Sequence, residues 1–273
     1  SLGNPAGNIV DIEKVCEIAH AHGVPVIVDN TVPSPYLCNP IAHGADIVVH
    51  SLTKYIGGHG TIIGGIIVDS NNFDWVANKE RFKRMNEPDV SYHGVVFTET
   101  GLPPYILRAR VVPLRNMGAA LAPMNTFLAL QGLETLPLRM DRICENTLTV
   151  ARHLEGHPQV EWVRYAGLDS SPHKALADKY CGGKASGILS FGIKGGLEAG
   201  TRFLDALQLI TRLVNIGDAK SLATHPASTT HRQLSEEELA ASGVSPEMVR
   251  LSIGIENVKD IIADIEQALD AAR

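Results

Sequence analysis

Apolar and polar positions change period several times along the chain, and each change marks an element. Ile12, Val15, Cys16 and Ala19 recur at helical spacing and Gly23 follows as a cap, which predicts a helix of about three turns. The next run, VPVIVD at 24–29, is short, β-rich and apolar on both faces, as a buried parallel strand is. After a loop holding Pro33, Pro35 and Pro40, ADIVVH at 45–50 repeats that pattern, and GGIIVD at 64–69 reads as a third strand. Between Phe73 and Pro123 no period holds, and DVSYHG and LPPYILRARVVPLRNMG read as long functional loops with short helices. Helical spacing resumes from NTFLALQGLETLPLRM onward, with Pro137 expected to kink the helix and Gly156 and Pro158 to stop it. VEWVRYAG, SGILSFGIKGG and VRLSIGIE then read as strands, with helices expected over 197–211 and 258–272.

Strands alternating with helices predict an α/β class, and the later mixture predicts a smaller α+β unit. The expected division is 1–142, a portion of a large domain, and 143–273, a small C-terminal domain. The opening SLGNPAG has the character of a loop leaving a strand, so the sequence reads as part of a longer protein. With 273 residues, 44% of them hydrophobic and 20% charged, the chain can bury a sizeable core. A formal net charge of −6 gives no basic footprint for nucleic acid, and no apolar run reaches membrane-spanning length. Anionic small molecules therefore need local positive sites. Cys16, Cys38, Cys144 and Cys181 lack CxxC or Cys/His ligand spacing, which argues against a disulfide framework or structural zinc and for a reducing, cytoplasmic setting. His20 and His22 fall near a helix end, where surface or capping roles are ordinary; His225 and His231 in THPASTTH are harder to assign in that way, although no metal site is expected.

Ligands of open α/β sheets bind outside the carboxyl ends of the strands. Asp29 ends one predicted strand, and Ser51, Thr53 and Lys54 follow another in HSLTKYIGGHG. GGHGTIIGG lacks the ending of a P-loop, Gly58-x-Gly60 is followed three positions later by Ile63 rather than glycine, and neither HExxH nor GxSxG occurs. A lysine at a strand end in a crevice is a candidate amine nucleophile, because desolvation favours its neutral form. Ser51 and Thr53 offer hydroxyls to an anion or to the following backbone.

VIVDN followed by DIVVHSLTKYIGGHG resembles the lysine region of fold-type-I pyridoxal-phosphate enzymes of the Cys/Met-metabolism family. SLGNPAG, FTETGLPPYILRARV, LQGLETLPLRM, GDAKSLATHPASTTH and VRLSIGIE are similar, in that order, to segments of its O-acetylhomoserine sulfhydrylases. The resemblance implies a mostly parallel sheet with helices on both faces, a smaller C-terminal α+β domain, and pyridoxal 5'-phosphate as cofactor. It implies that Lys54 holds the cofactor covalently and moves protons, that Asp29 faces the pyridine nitrogen, and that Ser51 and Thr53 contact the phosphate. Asn4 is implied at the ring oxygen and substrate carboxylate, with Arg250 and Ser221 as further carboxylate contacts. The implied reaction is γ-replacement, from O-acetyl-L-homoserine and sulfide or a thiol to L-homocysteine or methionine and acetate. O-succinylhomoserine sulfhydrylase, cystathionine γ-synthase and methionine γ-lyase are alternatives within the class, and an inactive binding or assembly module is the alternative outside it. The family's N-terminal part, with its ring-stacking aromatic and phosphate turn, is not among these residues; a chain carrying it and a homotetramer are therefore expected.

Overall fold

The protein is described here by a computed structural model covering residues 1–229 and 244–273. His231 lies outside the described residues. Two sheets form the frame. The first holds β1 (Ile27–Asp29), β2 (Ile47–Ser51) and β3 (Gly65–Asp69) in that order. The second holds β4 (Val160–Arg164), β5 (Ile188–Ile193), β6 (Thr211–Arg212), β7 (Leu222–Thr224) and β8 (Met248–Ser252), in the order β4-β5-β8-β7-β6. Among the described residues no helix is long and apolar enough to cross a membrane.

The first helix, Ile12–Ala21, starts at Asp11, whose Oδ1 accepts from Lys14 N at 3.4 Å, and it buries Ile12 and Cys16 while Val15 stays exposed. β1 is shorter than the apolar run that predicts it. Pro25 has no N–H to give, and the neighbouring Val26 N–H goes to the Asp46 carboxylate at 2.7 Å, so ladder pairing begins at Ile27 opposite Ile47. β1 and β2 are parallel, whereas β3 returns antiparallel to β2, with Ser51 opposite Gly65. The chain reverses directly after β2 through a π-helical turn at Leu52–Ile56, and Leu52 N donates to Gly64 O at 2.9 Å. A parallel return takes a crossover, usually through a helix, and no longer helix intervenes here.

As the patterning requires, the long helix breaks at its proline: Pro123–Glu134 ends at Thr135, and Leu136–Glu155 begins with Pro137 in its first turn, where a missing N–H costs nothing. The second of these helices crosses the expected 142/143 boundary and packs against β4 and β5. Every residue of β5 is buried. Its Phe191 meets Phe203 edge-to-face, with ring centroids 5.5 Å apart, and both are fully enclosed beside Met140, Ile143 and Ile265. On the other side, Ser190 Oγ donates to Pro5 O at 2.8 Å, tying β5 to the N-terminal loop.

Two features escaped the periodicity. A helix forms at Lys174–Cys181, closed by Gly182 at φ 59°, and the helix expected to reach 211 stops at Ala206. Asp264 on the closing helix Val258–Ala271 stops it: its carboxylate accepts from the N–H groups of Gln208, Leu209 and Ile210 at 2.9, 3.0 and 2.8 Å, which draws the chain out of helical geometry. Replacing Asp264 by Ala leaves three backbone donors without this acceptor and should cost about 2–4 kcal/mol, read as a lower urea midpoint at unchanged m-value.

Candidate active site

The carboxyl ends of β1 and β2 open onto a cleft of about 410 Å³ whose wall includes Asn4, Asp29, Thr31, Ser51, Lys54 and Ile216. Asp29 ends β1, Ser51 ends β2, and Lys54 sits within the π-helical turn that follows. Asp29 Oδ1 accepts from Thr31 N at 2.9 Å, and Thr31 Oγ1 accepts from Ser51 N at 2.8 Å, so one short loop fixes the ends of both strands. Neither Asp29 Oδ2 nor the Ser51 hydroxyl has a hydrogen-bond partner among the described residues. Both are thus available to an occupant of the cleft.

The second sheet supplies the facing cation. Arg250 on β8 is buried, with Nη1 donating to Asn4 Oδ1 at 3.3 Å and Nη2 to the Asn215 carbonyl at 2.9 Å. Its Nε is buried without a hydrogen-bond partner among the described residues. Neutral partners and an unused N–H leave a desolvated guanidinium short of its natural complement, a carboxylate or another fork-shaped anion. Burial holds the Arg250 pKa below its usual value. Asn215 joins the two cations, because its Oδ1 accepts from Lys54 Nζ at 2.5 Å. Burial first, and the charge of Arg250 second, lower the Lys54 pKa from 10.5.

Of the residues proposed from sequence, Asn4, Asp29, Ser51 and Lys54 line the cleft and Arg250 reaches it through Asn4 and Asn215. Thr53 and Ser221 stand outside the lining of the cleft. The Thr53 hydroxyl turns away to Gly64, accepting from its N at 3.1 Å and lying 3.4 Å from its O, where it closes the return into β3. Ser221 is fully buried, and its Oγ donates to Glu256 at 2.9 Å and accepts from Gly254 N at 2.9 Å, so its one hydroxyl proton is engaged within the chain. His225, also buried, bonds the Pro246 carbonyl through Nε2 at 2.7 Å. Sequence reasoning missed Thr31 and Asn215. Thr31 was signalled only by its place two residues beyond Asp29. For Asn215 the available cue was Gly217, which adopts φ 74° and whose Cβ would stand 2.6 Å from Tyr55 N, a close approach that only glycine allows.

The sequence model of the family described as Cys/Met metabolism PLP-dependent enzyme matches residues 1–270. The chain is 52% identical over 279 residues to an O-acetyl-L-homoserine sulfhydrylase of Leptospira meyeri, covering 98% of this chain and 63% of that protein. It is 51% identical over 274 residues to a homocysteine synthase of Schizosaccharomyces pombe, covering 100% and 64%. A crystal structure of a putative O-acetylhomoserine (thiol)-lyase of Campylobacter jejuni, containing N'-pyridoxyl-lysine-5'-monophosphate, superposes with a TM-score of 0.95 at 46% identity over 99% of this chain and 64% of that one. The chain thus spans a little under two thirds of the length of these relatives.

Arg250 lowers the Lys54 pKa, so Arg250→Gln should raise it toward 10.5 while burial keeps it below that value. The midpoint is measurable by NMR of ¹³C-methylated lysine, and a downward shift would contradict the assignment.

Proposed function

The chain belongs to the Cys/Met metabolism family of PLP-dependent enzymes, and from that premise we propose that its cleft holds pyridoxal 5'-phosphate through Lys54 and that the complete protein converts O-acetyl-L-homoserine and sulfide, or a thiol, to L-homocysteine, or methionine, and acetate. The observation that carries this reading is the Lys54–Asn215–Arg250 cluster, an amine whose pKa burial and the neighbouring charge lower, beside a buried guanidinium with an unused Nε. When bound, the cofactor supplies an aldehyde to condense with amines and a pyridinium ring that draws electrons from the substrate α-carbon. The residues fit it. Asp29 Oδ2 is available to hold the ring nitrogen proton, and the Ser51 hydroxyl is available to donate to the phosphate. Thr53 contributes there by shaping the turn rather than by donating its hydroxyl.

Arg250 is assigned to the α-carboxylate of the amino acid, with Asn4 and Asn215 keeping the guanidinium plane fixed. Lys54 Nζ, neutral at lower pH than a solvated lysine, takes the proton from the α-carbon and returns one later. Asn215 Oδ1 aims that nitrogen. The loss of acetate from Cγ and the arrival of sulfide are assigned from the names of the relatives. We place residues 1–142 in the cofactor-binding domain and 143–273 in the small domain, and the protein in the cytoplasm as a homotetramer.

The first sheet exposes Ile27, Ile66, Ile67 and Val68, which supports the proposal that further chain, of the kind the longer relatives carry, covers it and completes the cofactor site. Residues 1–273 expressed alone should therefore be poorly soluble and inactive; a soluble, fully active product would refute this.

In the complete protein, borohydride followed by mass spectrometry should place the cofactor adduct on the peptide containing Lys54. Lys54→Ala should abolish it, and an adduct persisting in that variant would overturn the assignment. Arg250→Ala should lower catalytic efficiency by on the order of 2–4 kcal/mol while cofactor content stays nearly constant. Sulfide assays with O-acetyl- and O-succinyl-homoserine side by side test the leaving group.

A further inference from the structure

Arg139, in the first turn of the helix Leu136–Glu155, is buried, and among the described residues its charge meets no carboxylate at hydrogen-bond distance, Asp218 acting on it only at longer range. Its guanidinium is spent on neutral oxygens. Nη1 donates to the Tyr55 carbonyl at 2.7 Å, Nη2 to the carbonyls of Ile56 at 3.1 Å and Gly132 at 2.6 Å, and Nε to Thr135 Oγ1 at 3.0 Å. Tyr55 and Ile56 are the two residues that follow Lys54. Burying a cation against neutral partners is costly, and an apolar side chain of similar volume would fill the space without that cost.

The geometry explains what the cation does. The turn at Leu52–Ile56 is π-helical, with Gly57 N reaching back to Leu52 O at 2.8 Å and Gly58 N to Lys54 O at 2.7 Å. Such a turn departs from the ordinary helical ladder, and such departures occur mostly as single turns at functional sites. Arg139 takes up the next two carbonyls and joins them to Gly132 at the end of the preceding helix. The fit is tight on both sides. A Cβ at Gly58 would stand 2.3 Å from Arg139 Nη1, and one at Gly132 would stand 2.3 Å from Ile56 O. A lysine has a single point charge and cannot reproduce a planar fork of four bonds in fixed directions.

We propose that Arg139 is a positioning residue that clamps the turn behind Lys54 and so sets where Nζ stands in the cleft. It acts by geometry. The groups that shift the Lys54 pKa are its own burial and Arg250, and Arg139 is not among them. The proposal rests on the reading of Lys54 as the proton-carrying, cofactor-holding amine. It differs from a general stabilising role in what it predicts: proton transfer at the α-carbon suffers while the carboxylate contacts of Arg250 and Asn4 do not.

The test uses the complete holoenzyme with Arg139→Lys. The expected result is a kcat lower by about 100-fold with KM for the amino acid within roughly threefold, since misplacement of a reacting group by about 1 Å has that scale of effect. A primary isotope effect with α-deuterated substrate should rise as proton transfer becomes limiting. Independently of activity, hydrogen exchange at the amides of Gly57 and Gly58 should quicken by about tenfold or more while β5 and β8 keep their protection. If Arg139→Lys does not fold, Thr135→Val, which removes the acceptor of Nε together with the longer Thr135 Oγ1 contact to the Gly132 carbonyl at 3.4 Å, should give smaller shifts in the same direction, and Thr135→Ser, which keeps both, should retain the original behaviour. Unchanged exchange at 57–58, or protection lost evenly across both sheets, would overturn the proposal. Exchange reads the clamp whether or not Lys54 carries the cofactor, so a local rise together with a borohydride adduct on another lysine would retire the functional reading and leave the clamp standing.

Discussion

The turn that carries Lys54 is gripped from two sheets at once, and the cleft keeps its shape only while those grips hold. From the second sheet and its loops, Ala219 N donates to Gly58 O at 2.8 Å, Gly187 N donates to the Tyr55 hydroxyl at 3.2 Å, and Asn215 accepts from Lys54 Nζ at 2.5 Å. From below, the long helix adds the guanidinium of Arg139. Tyr55 is fully buried at the centre of this arrangement, and burial raises its pKa to about 12, so its hydroxyl stays a neutral hydrogen-bonding group throughout the range in which such a protein works. Neither sheet closes the cleft by itself.

Electrostatics follows the same division. The chain as a whole is acidic, yet Lys54 and Arg250 are brought close enough in the cleft for the guanidinium to weaken the ammonium. A local field of this kind attracts an anionic ligand without making the rest of the surface adhesive to polyanions. It also divides the labour between the cations. Arginine keeps its charge under any ordinary condition and is suited to holding a carboxylate, while lysine responds to desolvation and is suited to exchanging protons.

What could be read from the sequence was whatever short-range order determines. Lys54 and Asp29 were legible because each lies at the carboxyl end of an apolar run, the place where α/β sheets keep their chemistry. The break at Pro137 and the closing helix were legible for similar reasons of spacing and backbone chemistry. Arg250 and Asn4 came from resemblance, because nothing local marks a strand arginine as the partner of an asparagine 246 residues away. The bonds of the Ser221 hydroxyl to Glu256, 35 residues further along, and of the Thr53 hydroxyl to Gly64 have no local signal either, because the folding back of the chain creates them. The early end of the helix at Ala206 has the same origin in the distant carboxylate of Asp264. Each of these outcomes was decided by a tertiary contact overriding a sound local tendency.

The bond between Asn4 and Arg250 spans nearly the whole chain, and the cleft beside it is walled by the N-terminal loop, the first sheet and the loop after β6. Anything that settles there and touches all three acts as a non-covalent cross-link closing a loop of that length. Its binding free energy is then added to the free energy of folding, growing with the logarithm of its concentration above the dissociation constant. Thermal stability in such a molecule becomes a measure of occupancy, so the standing amount of folded protein follows the supply of whatever fills the cleft.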